Sequence, residues 1–186
     1  MRQWFALSAI GHDRPGFVAD LAELIYECDC NLEDSSMTIL GNEFAVLLLL
    51  SGQKENLDER LSGACKRLEW EKRLTVFVRP LEGEPTLLGE RLNTYILHAT
   101  GIDKAGIVAR VARCLANADI NITQMETHTR REPGSGVAIY TMEMHLAIPI
   151  QVDIVTLREQ LERIADELPI HIDLTPVAPE QPPRQD

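Results

Sequence analysis

A glycine-bounded hexapeptide occurs twice in this chain, and its residue types suit the binding of a small zwitterion. The first copy is Gly-His-Asp-Arg-Pro-Gly at 11–16, and the second is Gly-Ile-Asp-Lys-Ala-Gly at 101–106. Each copy ends a short apolar run and begins an amphipathic one, which predicts a turn from a strand into a helix. The first amide groups of a helix lack partners and carry positive dipole character, so they suit a carboxylate. A fixed aspartate beside them suits an ammonium group.

The aspartate of each copy, Asp13 or Asp103, has two interpretations. It can cap the following helix through its side-chain oxygen, or it can receive the ammonium group of a bound amino acid. The whole hexapeptide is therefore either an amino-acid site or a tight turn that duplication has copied. Its glycine spacing matches neither the dinucleotide fingerprint nor the P-loop, because no Gly-Lys-Ser/Thr follows. The common phosphate-binding loops are excluded.

The similarity between the copies extends beyond the hexapeptide, which indicates two copies of one module. Identical residues recur at a constant offset: Ala9/Ala99, Gly11/Gly101, Asp13/Asp103, Gly16/Gly106, Val18/Val108, Ala19/Ala109, Ala22/Ala112, Asp29/Asp119 and Asn31/Asn121. The offset is too long for a solenoid repeat and about right for a small domain.

Hydrophobic periodicity predicts the element order βαββαβ in both modules. The predicted elements of the first module are strands at 3–10, 32–40, 44–50 and 73–79 and helices at 15–28 and 54–69. Those of the second are strands at 94–100, 121–129, 137–148 and 170–175 and helices at 105–117 and 153–167. This order predicts an α+β fold of two tandem ferredoxin-like sandwiches, each a four-stranded antiparallel sheet with two helices on one face. The predicted divisions are a first domain at 1–79, a linker at 80–92, a second domain at 93–175 and a disordered tail at 176–186.

The two predicted sheets differ on the face turned away from the helices. The segment 44–50 is continuously apolar, which is typical of a strand covered on both faces, so we expect the other module or another chain against it. In the second module Thr141, Glu143 and His145 alternate with apolar residues, which predicts one polar face.

Composition and charge argue against nucleic-acid binding and against a membrane-spanning or secreted protein. The formal net charge is -11, and no basic stripe interrupts it, which argues against direct nucleic-acid binding. No apolar run is long enough for a membrane helix, and no signal peptide is recognisable, so we expect a cytoplasmic protein.

Neither catalysis nor metal binding has a recognisable residue pattern in the sequence. The four cysteines lack metal-ligand spacing and are expected to be ordinary thiols of a reducing compartment. The five histidines are scattered, and only His128 and His145, on adjacent predicted strands, are expected to approach each other. We therefore expect no enzyme, no metal and no cofactor.

The hexapeptides and their flanks resemble the ACT domain. The resemblance rests on Gly-His-Asp-Arg-Pro-Gly-Phe-Val-Ala at 11–19 with Asn31, and on Gly-Ile-Asp-Lys-Ala-Gly-Ile-Val-Ala at 101–109 with Asn121. Together the two matches cover nearly the whole chain outside the linker and tail. Two such domains in a chain of this length resemble the glycine cleavage system transcriptional repressor family.

The resemblance implies a regulatory protein that senses an amino acid where ACT domains pair, using the first strand–helix loop and the start of the second strand. The implied ligand-binding residues are Gly11, His12, Asp13, Gly16, Asn31, Ile102, Asp103, Gly106 and Asn121. Because the copies differ at His12 and Ile102, the two sites are not expected to be equivalent.

The same resemblance implies a set of partners. These are glycine or another small amino acid, a protein partner such as a transcriptional activator, and a second copy of the chain in a homodimer. The alternative is a ligand-independent interaction module, or a regulatory subunit that docks on a metabolic enzyme.

Overall fold

The structure is a computed structural model that describes residues 2–85 and 92–177. The chain divides into two compact units, Met1–Leu87 and Leu88–Asp186. The predicted disorder of the tail, from 178 onward, and residues 86–91 of the predicted linker lie outside the described residues.

The first unit follows the predicted βαββαβ order. It contains strands β1 (Gln3–His12), β2 (Asn31–Leu40), β3 (Glu43–Gly52) and β4 (Thr75–Leu81) and helices α1 (Phe17–Glu27) and α2 (Leu57–Lys72). Its antiparallel sheet has the strand order β2-β3-β1-β4. Strand β4 includes Pro80 and Leu81, which the sequence pattern assigned to the linker.

The second unit repeats this topology. It contains strands β5 (Leu92–Ile102), β6 (Asn121–Arg131), β7 (Ala138–Pro149) and β8 (Ile170–Pro176) and helices α3 (Ile107–Asn117) and α4 (Ile154–Glu167). Its sheet has the order β6-β7-β5-β8, the counterpart of the first. The predicted α+β fold of two ferredoxin-like sandwiches is therefore confirmed. Among the described helices, none has the length and apolar character needed to cross a membrane.

One face of each sheet and the apolar stripes of its helices form the core. In β3, Phe44, Val46, Leu48 and Leu50 are buried, and the residues between them are more exposed. In β7 the buried set is Tyr140, Met142, Met144, Leu146 and Ile148. The second unit therefore has the predicted alternation, because its helices cover one face of the sheet.

The opposite face of the first sheet is apolar and exposed. Leu47 is 57% exposed, and Ile10 and Phe77, on neighbouring strands, are similarly accessible. The expectation that both faces of 44–50 are covered thus remains a prediction about a partner. These three residues are called the apolar sheet face below.

The corresponding face of the second sheet carries histidines and carboxylates. His98 Nδ1 lies 3.3 Å from Glu143 Oε2, and His145 Nε2 lies 3.1 Å from Glu143 Oε1. The expected approach of His128 to His145 is wrong. The register pairs His128 with Thr141 and His145 with Gln124, so the two histidines lie four positions apart along the sheet.

Candidate functional site

Each hexapeptide lies at the junction between the first strand and first helix of its unit. Its first glycine, Gly11 or Gly101, is the next-to-last residue of β1 or β5 and packs against the segment before the last strand of the same unit. A Cβ on Gly11 would lie 2.5 Å from Leu74 Cδ2, and one on Gly101 would lie 2.7 Å from the Pro169 carbonyl oxygen. These glycines therefore allow close packing with the connection before the last strand of the unit.

The second glycine of each hexapeptide is the N-cap of the helix. Gly16 has φ 90° and Gly106 has φ 98°, both in the left-handed region. Within the described residues no side chain caps either helix, so the capping interpretation of Asp13 and Asp103 is wrong. The left-handed N-cap turns the chain sharply, and the aspartate, three residues earlier, does not reach the first amides.

The aspartates are instead fixed through their backbone. The Asp13 N–H donates to the Asn42 carbonyl at 2.8 Å, and the Asp103 N–H donates to the Ala138 carbonyl at 2.9 Å. Both residues are exposed, and within the described residues neither carboxylate makes a hydrogen bond or ion pair. Each unit thus holds a carboxylate with no protein partner close to a helix N-terminus without a side-chain cap.

The charged surroundings of the two loops differ. In the first unit Arg14 pairs with Asp20, and Lys72 Nζ lies 3.1 Å from the same carboxyl group. The Arg14 hydrogen bond and the Lys72 ammonium hold the pKa of Asp20 below its ordinary value, against the opposing effect of burial. In the second unit Arg110 takes the place of Asp20 and pairs with Glu167.

The loops also differ at their second residue. The His12 side chain lies beside Glu43, with 3.7 Å between Nδ1 and Oε1. Ile102, at the equivalent position, is an exposed apolar residue.

The asparagines lie far from the loops of their own units. Asn31 begins β2 and pairs with Ser51, close to the β1 residue Gln3, whereas His12 is at the other end of the sheet. From Gln3 to His12 the strand rises by nine residue steps, which separates the two ends by about 30 Å. Asn121 begins β6 and pairs with Ala147 in the same way. One unit therefore does not bring its asparagine and its loop together.

A polar cluster beside Asn31 was missed in the sequence. Ser51 has the only fully buried polar side chain among the described residues, and it contacts both Glu33 and Arg2. The Ser51 hydrogen bond and the Arg2 guanidinium lower the pKa of Glu33. Glu33 is the extra residue of a β-bulge in β2, and the equivalent bulge in β6 contains Thr123. Only the long-range pairing of β2 with β3 reveals this cluster.

Tyr140 is a second residue that the sequence reasoning missed as a functional group. It pairs with Gly101 in the sheet and is 8% exposed, and its hydroxyl has no hydrogen-bond partner in the described part of the chain. Burial raises its pKa, the Thr127 hydroxyl opposes this effect, and the Asp103 carboxylate adds to it. The pairing with Gly101 places Tyr140 at the strand end that leads into the loop of the second unit. A comparison of the two copies would have drawn attention to it, because Phe44 occupies the equivalent position.

The cysteines do not form a reactive or metal-binding centre. Cys28, Cys30 and Cys65 are buried, and burial raises the pKa of Cys30 and Cys65 to about 11. Over the described ranges no cluster of histidine, cysteine and acidic residues has the geometry of a metal site.

The comparisons with known proteins agree with this geometry. The family model for the ACT domain matches residues 3–79. The first unit is an ACT domain. Over 51 residues, 27% of each chain, this protein is 41% identical to the glycine cleavage system transcriptional repressor of Escherichia coli K12. It is also 41% identical over 44 residues to a UPF0237 protein of Methanopyrus kandleri, which is 24% of this chain and 49% of that protein. The matched segment thus spans about a quarter to a half of these curated relatives.

Solved structures extend the likeness beyond the first ACT domain. A crystal structure of an unknown protein from Galdieria sulphuraria is 27% identical, with a TM-score of 0.76 over 96% of this chain and 100% of that one. A candidate glycine cleavage system transcriptional repressor is 20% identical, with a TM-score of 0.74 over 95% of this chain and 98% of that one. The fold of two tandem ferredoxin-like sandwiches is therefore shared over nearly the whole chain.

Proposed function

We propose that this protein is a non-enzymatic regulator that binds a small amino acid and acts through a protein partner, in the manner of a glycine cleavage system transcriptional repressor. One observation carries the proposal: each unit places an aspartate carboxylate without a protein partner beside a helix N-terminus without a side-chain cap. An amino acid offers the complementary pair of charges. Its carboxylate suits the helix amides, and its ammonium group suits the aspartate.

The position of the asparagines supports a site completed by a second copy of the chain. Asn31 and the loop at 11–16 lie at opposite ends of one sheet, so a ligand that contacts both needs two modules. Strand β2 is exposed along its whole length and lies at the edge of its sheet, where its outer backbone groups are available for pairing. We therefore propose a homodimer whose ligand sites lie at the edges of the sheets.

The proposed partner is a protein rather than DNA. A net charge of -11 repels phosphate, and a regulator with this charge is suited to antagonise a DNA-binding activator instead. Bound amino acid, with glycine as the first candidate, alters regulation only through different affinities for the free and partner-bound protein. This role is consistent with a cytoplasmic protein.

A thermal-shift screen against the proteinogenic amino acids tests the proposal. A ligand at a hundred times its dissociation constant adds about 2.7 kcal/mol to the free energy of unfolding. We expect at least one small amino acid to raise the melting temperature and the double variant Asp13→Asn/Asp103→Asn to abolish the shift. Asp166→Asn, an exposed carboxylate on α4, is the matched control and should retain it. If no amino acid changes the melting temperature, the sensor proposal is wrong.

The apolar sheet face favours a second candidate function, a ligand-independent docking module or regulatory subunit. Ile10, Leu47 and Phe77 form an exposed apolar patch of the kind that marks protein interaction surfaces. For this alternative we expect Leu47→Lys to abolish partner binding or dimer formation in sedimentation velocity while every amino acid leaves the protein unchanged. Retention of the native sedimentation coefficient and of partner binding by Leu47→Lys would exclude this surface.

A further inference from the structure

The two loops face different environments on the helix-covered side of the sheet. In the second unit Thr127, Thr129 and Tyr140 lie near the end of the sheet that leads into the Asp103 loop, and we call these four residues the polar corner. Thr129 pairs with Tyr140 and Thr127 pairs with Met142, so both threonines lie on the face that carries the phenol. At the equivalent positions beside Asp13, the first unit has Met37, Ile39 and Phe44.

The first unit fills its corner with apolar side chains. The rings of Phe44 and Phe17 pack with their centroids 4.0 Å apart, and Arg14 lies over Phe17 while it pairs with Asp20. None of the three residues Met37, Ile39 and Phe44 carries a hydroxyl, and Arg14, the cation of the loop, already pairs with Asp20. This corner is complete without a ligand.

The polar corner has a hydroxyl that lacks a partner. Tyr140 is more than nine-tenths buried, and no hydrogen bond satisfies its oxygen within the described residues. A buried hydroxyl without a partner costs free energy. Few such groups occur in native proteins, and a molecule that hydrogen-bonds to the group is one explanation for its retention. The Asp103 carboxylate and the first amides of α3 are the other polar groups that this corner offers.

We propose that the amino-acid site of the second unit is the working one and that the Tyr140 hydroxyl contacts the bound ligand. The inference rests on the function proposed above and specifies it further. The ligand is a small α-amino acid whose ammonium group lies against Asp103. Its carboxylate accepts hydrogen bonds from the α3 amides and from the Tyr140 hydroxyl, which stays protonated.

The test is isothermal titration calorimetry of the full chain, with glycine first and then any amino acid that shifts the melting temperature. We expect Tyr140→Phe to weaken binding about tenfold, the size typical of one lost hydrogen bond to a charged group. Tyr95→Phe, on the same sheet but at the far end of β5, should bind as the wild type does. Asp103→Asn should weaken binding more strongly than Asp13→Asn. In an amide NMR spectrum the ligand should shift Gly106 rather than Gly16.

The outcomes separate this inference from the proposed function. If the wild type binds an amino acid and Tyr140→Phe binds it equally well, or Asp13→Asn is the more damaging variant, the polar corner is not the site and the sensor function stands. If the wild type binds no amino acid, both proposals fail. A Tyr140→Phe protein that no longer folds would also contradict the inference, because loss of an unpartnered hydroxyl should not unfold the unit.

Discussion

Alanine substitutions of the repeated glycines should have unequal effects although the sequence repeats them exactly. A Cβ on Gly101 meets backbone: 2.7 Å to the Pro169 carbonyl oxygen and 2.8 Å to Ile170 Cα. Ordinary carbon contacts are about 3.5–4 Å, so β5 and the chain before β8 must separate. A Cβ on Gly11 meets the end of the Leu74 side chain at 2.5 Å, while the Leu74 Cα is 3.7 Å away. A side-chain end can change rotamer, and a paired backbone cannot.

These contacts predict different free energies of unfolding for Gly11→Ala and Gly101→Ala. Overpacking costs typically 1–3 kcal/mol, and rigid backbone places Gly101→Ala near the upper value, about 3 kcal/mol. For Gly11→Ala, a strained Leu74 rotamer costs about 0.5–1.5 kcal/mol. The replacement of a strand glycine by alanine recovers about 0.5–1 kcal/mol of this cost. We therefore expect Gly11→Ala to be within about 1 kcal/mol of the wild type and the two variants to differ by roughly 2 kcal/mol.

Guanidinium chloride unfolding, followed by far-UV circular dichroism and by tryptophan fluorescence, measures this difference. Both tryptophans, Trp4 and Trp70, lie in the first unit, so the fluorescence follows that unit. Gly63→Ala is the matched control, since a Cβ there meets nothing within 4 Å, and in the interior of α2 it should stabilise by about 1 kcal/mol. Equal losses for Gly11→Ala and Gly101→Ala would refute the argument from close packing.

Three further outcomes follow from individual groups. Without ligand, Tyr140→Phe should raise the free energy of unfolding by about 1 kcal/mol in chemical denaturation, because it removes an unsatisfied hydroxyl. A decrease of that size in the free energy of unfolding would mean that the hydroxyl has a partner. Cys114 is the one half-buried cysteine, so it should react with a thiol reagent at pH 8 in the folded protein. The three cysteines of the first unit should react only after unfolding, since burial protects them. Equal reaction rates for all four cysteines would contradict this difference in burial. Because Arg14 and Lys72 lower the pKa of Asp20 in the folded protein, the unfolded state binds the proton more readily, so this stabilisation is complete above about pH 4 and is lost as the pH falls further. Asp20→Asn should flatten the fall in stability below about pH 4, and an unchanged slope in acid denaturation would exclude the contribution.

The order and type of the elements were predictable because local signals agree with the fold. Strand β7 alternates between buried apolar and exposed polar residues, and α3 carries its apolar residues on one face, so each period identifies its element. Helix starts were predicted one to three residues early. Helices α1 and α3 begin only after a glycine in the left-handed region, and a glycine in sequence does not show the sign of its φ.

The candidate site was only partly predictable. The duplicated Gly-x-Asp-x-x-Gly pattern located the loops, and the identical asparagines located the strand starts. The pattern did not show that Asn31 lies at the far end of the sheet from its loop, because strand direction and register depend on long-range pairing. It also did not show that Tyr140 is buried without a partner beside Asp103.

Short segments encode local structure, so the duplication of the chain and its two βαββαβ modules were predictable from the residues alone, and the residue types of the loop predict an amino-acid site. Burial and contact between residues distant in sequence are not. Asp13 and Asp103 are identical in sequence, yet one lies beside apolar Phe44 and the other beside the unpartnered hydroxyl of Tyr140. Only the folded sheet brings these strands to the loops, because the pairing that joins them spans dozens of residues. That pairing distinguishes two loops that the sequence presents as equivalent.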